Sequence, residues 1–253
     1  MKKSWLTIAV LTNLLAVSAR AENSQQLQEF RSTKTCYGCD LTNTSLANLD
    51  LSNAKLINTS LFGTDFRGTN LSGANLSGIQ AGELIVNARS SERRISDFSG
   101  VNFTGADISR ASLSRAILAQ ANFTNAYLLN TDFGSARLVG AVFQGATLGN
   151  TFFGGADLTG ANFTNQPLVG VYLRNARLDN AQLAGVRFDS SDLTNAVFRN
   201  ADLRGASFTS TTIANADFSG ARLDSDTVAQ LCQTAGGSNT LTNTDTRVSL
   251  GCR

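Results

Sequence analysis

The chain has 253 residues, 42% hydrophobic and 16% charged, with a formal net charge of +2, one proline and no histidine. A length of this order allows one or two domains. Without histidine every imidazole-based triad or metal site is excluded, and a charge so near zero supplies no long-range field for nucleic acid or an anionic membrane.

Residues 1–21 read as an export signal. Lys2 and Lys3 form a basic start, Trp5 to Val17 is a short, mostly apolar stretch, and Ala19-Arg20-Ala21 fits the small-x-small cleavage pattern. The stretch is too short for a comfortable membrane span. Cleavage removes Lys2, Lys3 and Arg20 but no acid, so the 21 basic residues fall to one fewer than the 19 acidic ones. Residues 22–38 form an N-terminal cap, in which Leu27 and Phe30, three apart, predict a short helix laid over the start of the repeat region.

From Leu41 a large apolar residue recurs every fifth position: Leu46, Leu51, Leu56, Leu61, Phe66, Leu71 and Leu76. After an interruption the beat resumes at Phe98 and Phe103 and runs to Phe218 and Leu223. Two residues before each lies a small column, for example Ala106, Ala111, Ala116, Ala121, Ala126, Thr131, Ala136 and Ala141. Period five is neither the 3.6 of a helix nor the 2 of a strand, so this segment is a solenoid of short straight pieces joined by corners.

Phenylalanine sets the size of the coil. Phe103, Phe123, Phe143 and Phe163 fall 20 residues apart, as do Phe133 and Phe153, Phe188 and Phe208, and Phe198 and Phe218. Twenty residues are four repeats, which predicts a four-sided all-β coil, about nine coils high, with these rings stacked in its interior. Outward charges agree: Arg137 with Asp157, Asp157 with Arg177, Asp179 with Arg199, Asp202 with Arg222 and Arg204 with Asp224 are opposite in sign at the same spacing. Leu158→Asp is expected to prevent folding, and Thr159→Asp to be nearly silent.

The interruption from Leu76 to Phe98 is 22 residues, read as one coil plus two, with Ala81 and Val86 as degenerate central positions. The extra residues then bulge as a charged surface loop near 87–95, a candidate partner contact.

Units such as Ala156-Asp157-Leu158-Thr159-Gly160, Ala161-Asn162-Phe163-Thr164-Asn165 and Ala201-Asp202-Leu203-Arg204-Gly205 resemble the A(D/N)LXX motif of the pentapeptide repeat family. The resemblance covers Cys39 to about Ser225. It implies a right-handed quadrilateral β-helix over 39–225, with the central residue and the one two before it pointing inward. Cys36-Tyr37-Gly38-Cys39-Asp40-Leu41 also resembles the opening of exported cyanobacterial members, which implies a periplasm or thylakoid lumen. Some relatives are acidic dimers that mimic DNA and bind type II topoisomerases. This chain, near neutral and exported, lacks the surface anions and the cytoplasmic address that such a role needs.

Residues 226–253 form a C-terminal cap. Ser225 to Leu231 predicts a short helix, with Val228 and Leu231 covering the last coil. Nine coils at the strand spacing of about 4.8 Å separate the two ends by about 40 Å, far beyond the roughly 7 Å that bonded cysteines allow. Cys36 therefore pairs with Cys39, and Cys232 with Cys252. Two closed ends favour a monomer.

For chemistry, Cys36 and Cys39 form the one enzymatic candidate, a redox CxxC, but they open a β-solenoid instead of a helix in a βαβ setting. The aspartates Asp107, Asp132, Asp157, Asp192, Asp202 and Asp217 are spread over an outward column with no compact acid–base pair. No catalytic residue, metal or cofactor is expected. What remains is a rigid binding surface for a protein or small ligand: Tyr127, Leu129, Phe152, Val169 and Tyr172 are apolar exceptions at outward positions, on two adjoining faces.

Overall fold

The computed structural model describes residues 24–87 and 92–253; the expected export signal lies outside them. Each repeat carries one bridging residue, then the inward central residue, then a two-residue turn. Four repeats make a coil, and we number its sides by their first central residues: face 1 from Cys36, face 2 from Leu41, face 3 from Leu46 and face 4 from Leu51. Face 1 runs Cys36, Leu56, Leu76, Ile108, Leu128, Leu148, Leu168, Phe188, Phe208, so the tower is nine coils high.

Local chemistry explains the square section. In the repeat at Ala156, Leu158 N–H donates to Arg177 O in the next coil at 2.7 Å, and Asp157 N–H to Ala136 O in the previous one at 2.9 Å. Ala161 N–H closes the turn on Leu158 O at 3.0 Å. The second turn residue has positive φ in each repeat, as at Gly160 (67°), Asn165 (59°) and Asn175 (59°). A type II turn needs this, and asparagine and glycine tolerate it best. A corner every fifth residue follows from that placement.

The shaft is apolar and layered. Phe103, Phe123, Phe143 and Phe163 stack on face 4 with centroids 5.0, 4.9 and 4.4 Å apart and planes within 9°. Phe133 and Phe153 stack on the opposite face 2 at 5.3 Å and meet the first column edge-on, as in Phe143–Phe153 at 90°. Where the small column carries a hydroxyl, a carbonyl of the previous coil accepts it: Thr131 Oγ1 donates to Ile108 O and Thr151 Oγ1 to Leu128 O, both at 2.9 Å. These buried hydroxyls therefore incur no desolvation penalty for a missing partner.

One coil needs repair. Pro167 has no N–H to donate to Ala146 O, and Thr147 and Pro167 do not pair as their neighbours do. The buried side chain of Gln166 takes over, donating Nε2–H to Ala146 O and accepting Gly145 N–H at Oε1, both at 2.8 Å. Gln166→Ala leaves both backbone groups open, at about 1–3 kcal/mol each, and lowers the urea midpoint accordingly.

The interruption differs from the sequence expectation. Asp65 pairs with Asp97 and Phe98 stacks on Phe66 at 4.9 Å, so only two repeats separate Leu76 from Phe98 and the remaining residues leave the tower. Ala81 keeps a buried central place under Leu61, but Val86 belongs to β1 (Glu83–Asn87), which pairs antiparallel with β2 (Glu92–Ile95). The expected bulge is thus a projecting hairpin that starts at 83. Its root is fixed by Ser96 Oγ, which donates to Leu61 O and accepts from Gly63 N–H and Gly82 N–H.

Both ends are covered. Helix α1 (24–33) buries Phe30 and packs Leu27 against the first coil, and Gln26 Oε1 accepts Asp40 N–H. Helix α2 (Ser225–Leu231) buries Leu231, whereas Val228 is only half-buried and is not part of the core, contrary to expectation. The tail then runs back along the corner between faces 2 and 3, where Asn239 Nδ2 donates to Asn215 O at 2.9 Å, and ends in α3 (Thr246–Leu250).

Candidate interaction surface

Tyr127, Leu129, Phe152, Val169 and Tyr172 are 41–54% exposed. Phe152 and Tyr172 are consecutive bridging residues of face 2, with ring centroids 6.4 Å apart. Tyr127 is a bridging residue of face 1, and Leu129 and Val169 lie in its turn column, at the corner with face 2. Of the five, only Phe152 and Tyr172 make a direct ring contact.

Glycines shape the ground beside them. A Cβ on Gly154 would meet the Phe152 ring at 2.4 Å, and one on Gly134 would meet it at 3.0 Å. Neither glycine has positive φ, so the reason for glycine here is space: the phenylalanine ring lies along the strand over both. Gly149 likewise leaves room for Leu129, whose Cδ2 would stand 3.0 Å from a Cβ there.

The result is a groove of about 400 Å³ on face 2, lined by Ser114, Arg115, Asp132, Gly134, Ser135, Phe152, Gly154, Gly155, Arg174 and Asn175. A second hollow, of about 330 Å³, shares Ser114 and Arg115 and continues to Phe62, Glu83 and Ile85 under the hairpin. Glu83 ties the hairpin down, accepting from Arg93 at 2.6 Å and Arg115 at 2.7 Å, and the bonds from Arg115 and then Arg93 hold its carboxyl below the usual range. The sequence reading missed this groove because Gly134 and Gly154 look like ordinary turn residues.

The charged columns are more varied than expected. Arg199 reaches Asp179 at 2.7 Å and Arg222 approaches Asp202 at 3.9 Å, but Asp157 accepts from Thr159 Oγ1 within its own repeat and forms no ion pair. Asp217 is not solvated: the returning tail buries it completely. Burial opposes its charge, but the Ser219 hydroxyl and amide still hold its pKa below the ordinary value. Asp202 is held lower, at about 2, first by the Arg204 guanidinium 2.6 Å away. A depressed carboxylate pKa stabilises the fold above its unfolded value and loses that contribution as pH falls toward the folded one. A melting-temperature series from about pH 4 to pH 2 is therefore expected to fall less steeply for Asp202→Asn than for the parent.

Cys36 is bonded to Cys39, and Cys232 to Cys252, with Cα separations of 5.8 and 5.6 Å. Cys36 is buried, with Phe30 in the same core cluster. Two such bonds suit an oxidising compartment. No helix among the described residues is long and apolar enough to cross a membrane.

A family profile described as pentapeptide repeats matches in eight copies, over residues 36–78, 96–134, 136–165, 168–205 and 191–225. The chain belongs to the pentapeptide-repeat family. Its fold is the family's right-handed quadrilateral β-helix, and the hairpin falls in the gap between the first two matched stretches. Pentapeptide repeat proteins are generally structural or interaction scaffolds. A search of curated proteins finds no match. Solved pentapeptide-repeat structures similar to this one include trypsin-treated QnrB1, a plasmid-mediated fluoroquinolone resistance protein, at 24% identity over 79% of this chain and 96% of that one, TM-score 0.40. HetL of the cyanobacterium Nostoc sp. strain PCC 7120, involved in heterocyst differentiation regulation, is 25% identical over 77% and 94%, TM-score 0.33. A thylakoid-lumen protein of Arabidopsis thaliana is 32% identical over 62% and 88%, TM-score 0.26.

Proposed function

We propose that this pentapeptide repeat protein is an exported, non-enzymatic scaffold of the periplasm or thylakoid lumen that docks a protein partner on the side formed by face 2 and its corner with face 1. The observation that carries the reading is the exposed apolar cluster around Phe152 and Tyr172, beside a groove on which the Phe152 ring lies flat over Gly134 and Gly154. Surfaces that repeat Thr, Ser, Asn and charge have no need for such a cluster, and apolar patches with polar rims are what protein contacts use. Backbone bonds between coils and stacked rings make the side rigid, so docking costs little ordering entropy. The covered ends support a monomer.

Replacing Phe152 and Tyr172 together with Ser is expected to abolish capture of a native partner from the source organism's envelope fraction while leaving the melting temperature unchanged. Capture that survives the double substitution refutes the reading. The alternative of a cycling CxxC has less support, because Cys36 is an inward residue of the first coil; a reduction potential well above about −300 mV for the Cys36–Cys39 bond would revive it.

A further inference from the structure

The two hollows on face 2 share Ser114 and Arg115 and together mark a trough along the tower axis, from the hairpin at the level of Ala81 to Arg174 at the level of Leu173. Four inter-coil steps make it about 19 Å long, the length of five or six extended residues. Ser114 lies at the base of the groove, and the Phe152 ring lies flat over Gly134 and Gly154, so a bound segment would rest on an aromatic face. Phe152 forms an apolar wall at one end, and Ile85, 54% exposed, stands at the other.

The charges in the trough are unequal. Glu83 is shared between Arg115 and Arg93, so these three residues keep one net positive charge at the hairpin end, and Asp132, whose Oδ1 accepts Gly134 N–H at 2.7 Å, lies on the hairpin side of Phe152. Arg174 makes no ion pair or side-chain hydrogen bond among the described residues: the residues that stack on it, Gly154 and Thr194, carry no carboxylate. A guanidinium left open beside two exposed rings is complementary to an anion attached to an apolar group.

Resting on the docking surface proposed above, we infer that the trough takes an extended, acidic peptide segment of the partner, with an apolar side chain against Phe152 and Tyr172 and a neighbouring Asp or Glu carboxylate on Arg174. Recognition of this kind needs length, an exposed apolar face and one positioned charge, and the trough has all three.

The test is fluorescence anisotropy on the purified, disulfide-bonded protein with two pools of labelled octapeptides. One pool alternates Leu or Val with Asp or Glu; the other carries Asn or Gln in place of the acids. The acidic pool is expected to bind at least about tenfold more tightly, and less so at high salt. Arg174→Gln is expected to bring the pools within about twofold of each other at unchanged melting temperature, and Phe152→Ser to weaken both. Equal binding of the two pools, binding unmoved by Arg174→Gln, no binding of either, or displacement by cellohexaose, which would mark a sugar site, overturns the inference. If neither pool binds while the Phe152 and Tyr172 double substitution still abolishes partner capture, the docking surface stands and the peptide falls. If capture survives that substitution, the surface itself falls.

Discussion

Leu158→Asp is expected to yield no folded protein. Leu158 is fully buried between Leu138 and Leu178 in the face 3 column, and its backbone is fixed by the 2.7 Å bond to Arg177 O. A carboxylate there has no partner in a shaft of Leu and Phe, and an unpaired buried charge costs several kcal/mol after relaxation. Total stability for a domain is about 5–15 kcal/mol, so the tower is expected to lose its cooperative circular-dichroism transition. The adjacent turn residue is not the inert control that an outward position suggests. Thr159 Oγ1 donates to Asp157 Oδ1 at 2.6 Å, and a carboxylate in its place would face another carboxylate. Gln144, exposed in the turn column of face 4 between Thr124 and Thr164, is the proper comparison, and Gln144→Asp is expected to stay within about 0.5 kcal/mol.

Phe143→Ala has the next largest effect. Phe143 is stacked between Phe123 at 4.9 Å and Phe163 at 4.4 Å, and meets Phe153 edge-on at 5.8 Å. Its removal leaves a ring-sized void that backbone bonds on each side keep from collapsing, for a loss of about 3–5 kcal/mol in urea unfolding. Phe143→Leu places on face 4 the residue that this same column uses at Leu183, and is expected to cost under about 1.5 kcal/mol. Because each coil touches only its neighbours, the loss should appear as lowered hydrogen-exchange protection around Phe123 to Phe163 before the ends respond.

The sequence made the tower legible because one physical demand, a narrow shaft with a corner every fifth residue, is repeated on every coil. The 20-residue interval of Phe103, Phe123, Phe143 and Phe163 carried the coil size, and the apolar exceptions at outward positions carried Phe152 and Tyr172. What stayed hidden depends on contacts without a period. The step from Leu76 to Phe98 can be counted as four repeats plus two residues or as two repeats plus twelve, and Val86 is apolar enough to pass as a central residue. The pairing of Asp65 with Asp97 and the stacking of Phe98 on Phe66 separate the two. Asp217 occupies the same position in its repeat as Asp157, yet the returning tail buries one and leaves the other half-exposed. Gln166 had a local signal, a long polar side chain in a column of small residues, immediately before the only proline of the sequence.

The docking surface uses the same regularity. Residues 20 apart stand over one another, so Ser114, Gly134 and Gly154 fall in one column, and Phe152 and Tyr172 form a paired wall, although no local motif joins them. A photo-crosslinking amino acid placed in the rigid coils reports directly on which side meets the partner. With benzoylphenylalanine in place of Leu129, at the edge of the apolar cluster, irradiation of the envelope fraction is expected to give a discrete cross-linked product. The same residue in place of Gln182, an exposed bridging residue of face 4, opposite face 2, is expected to give none; equal products from both positions, or a product from Gln182 alone, would contradict the account.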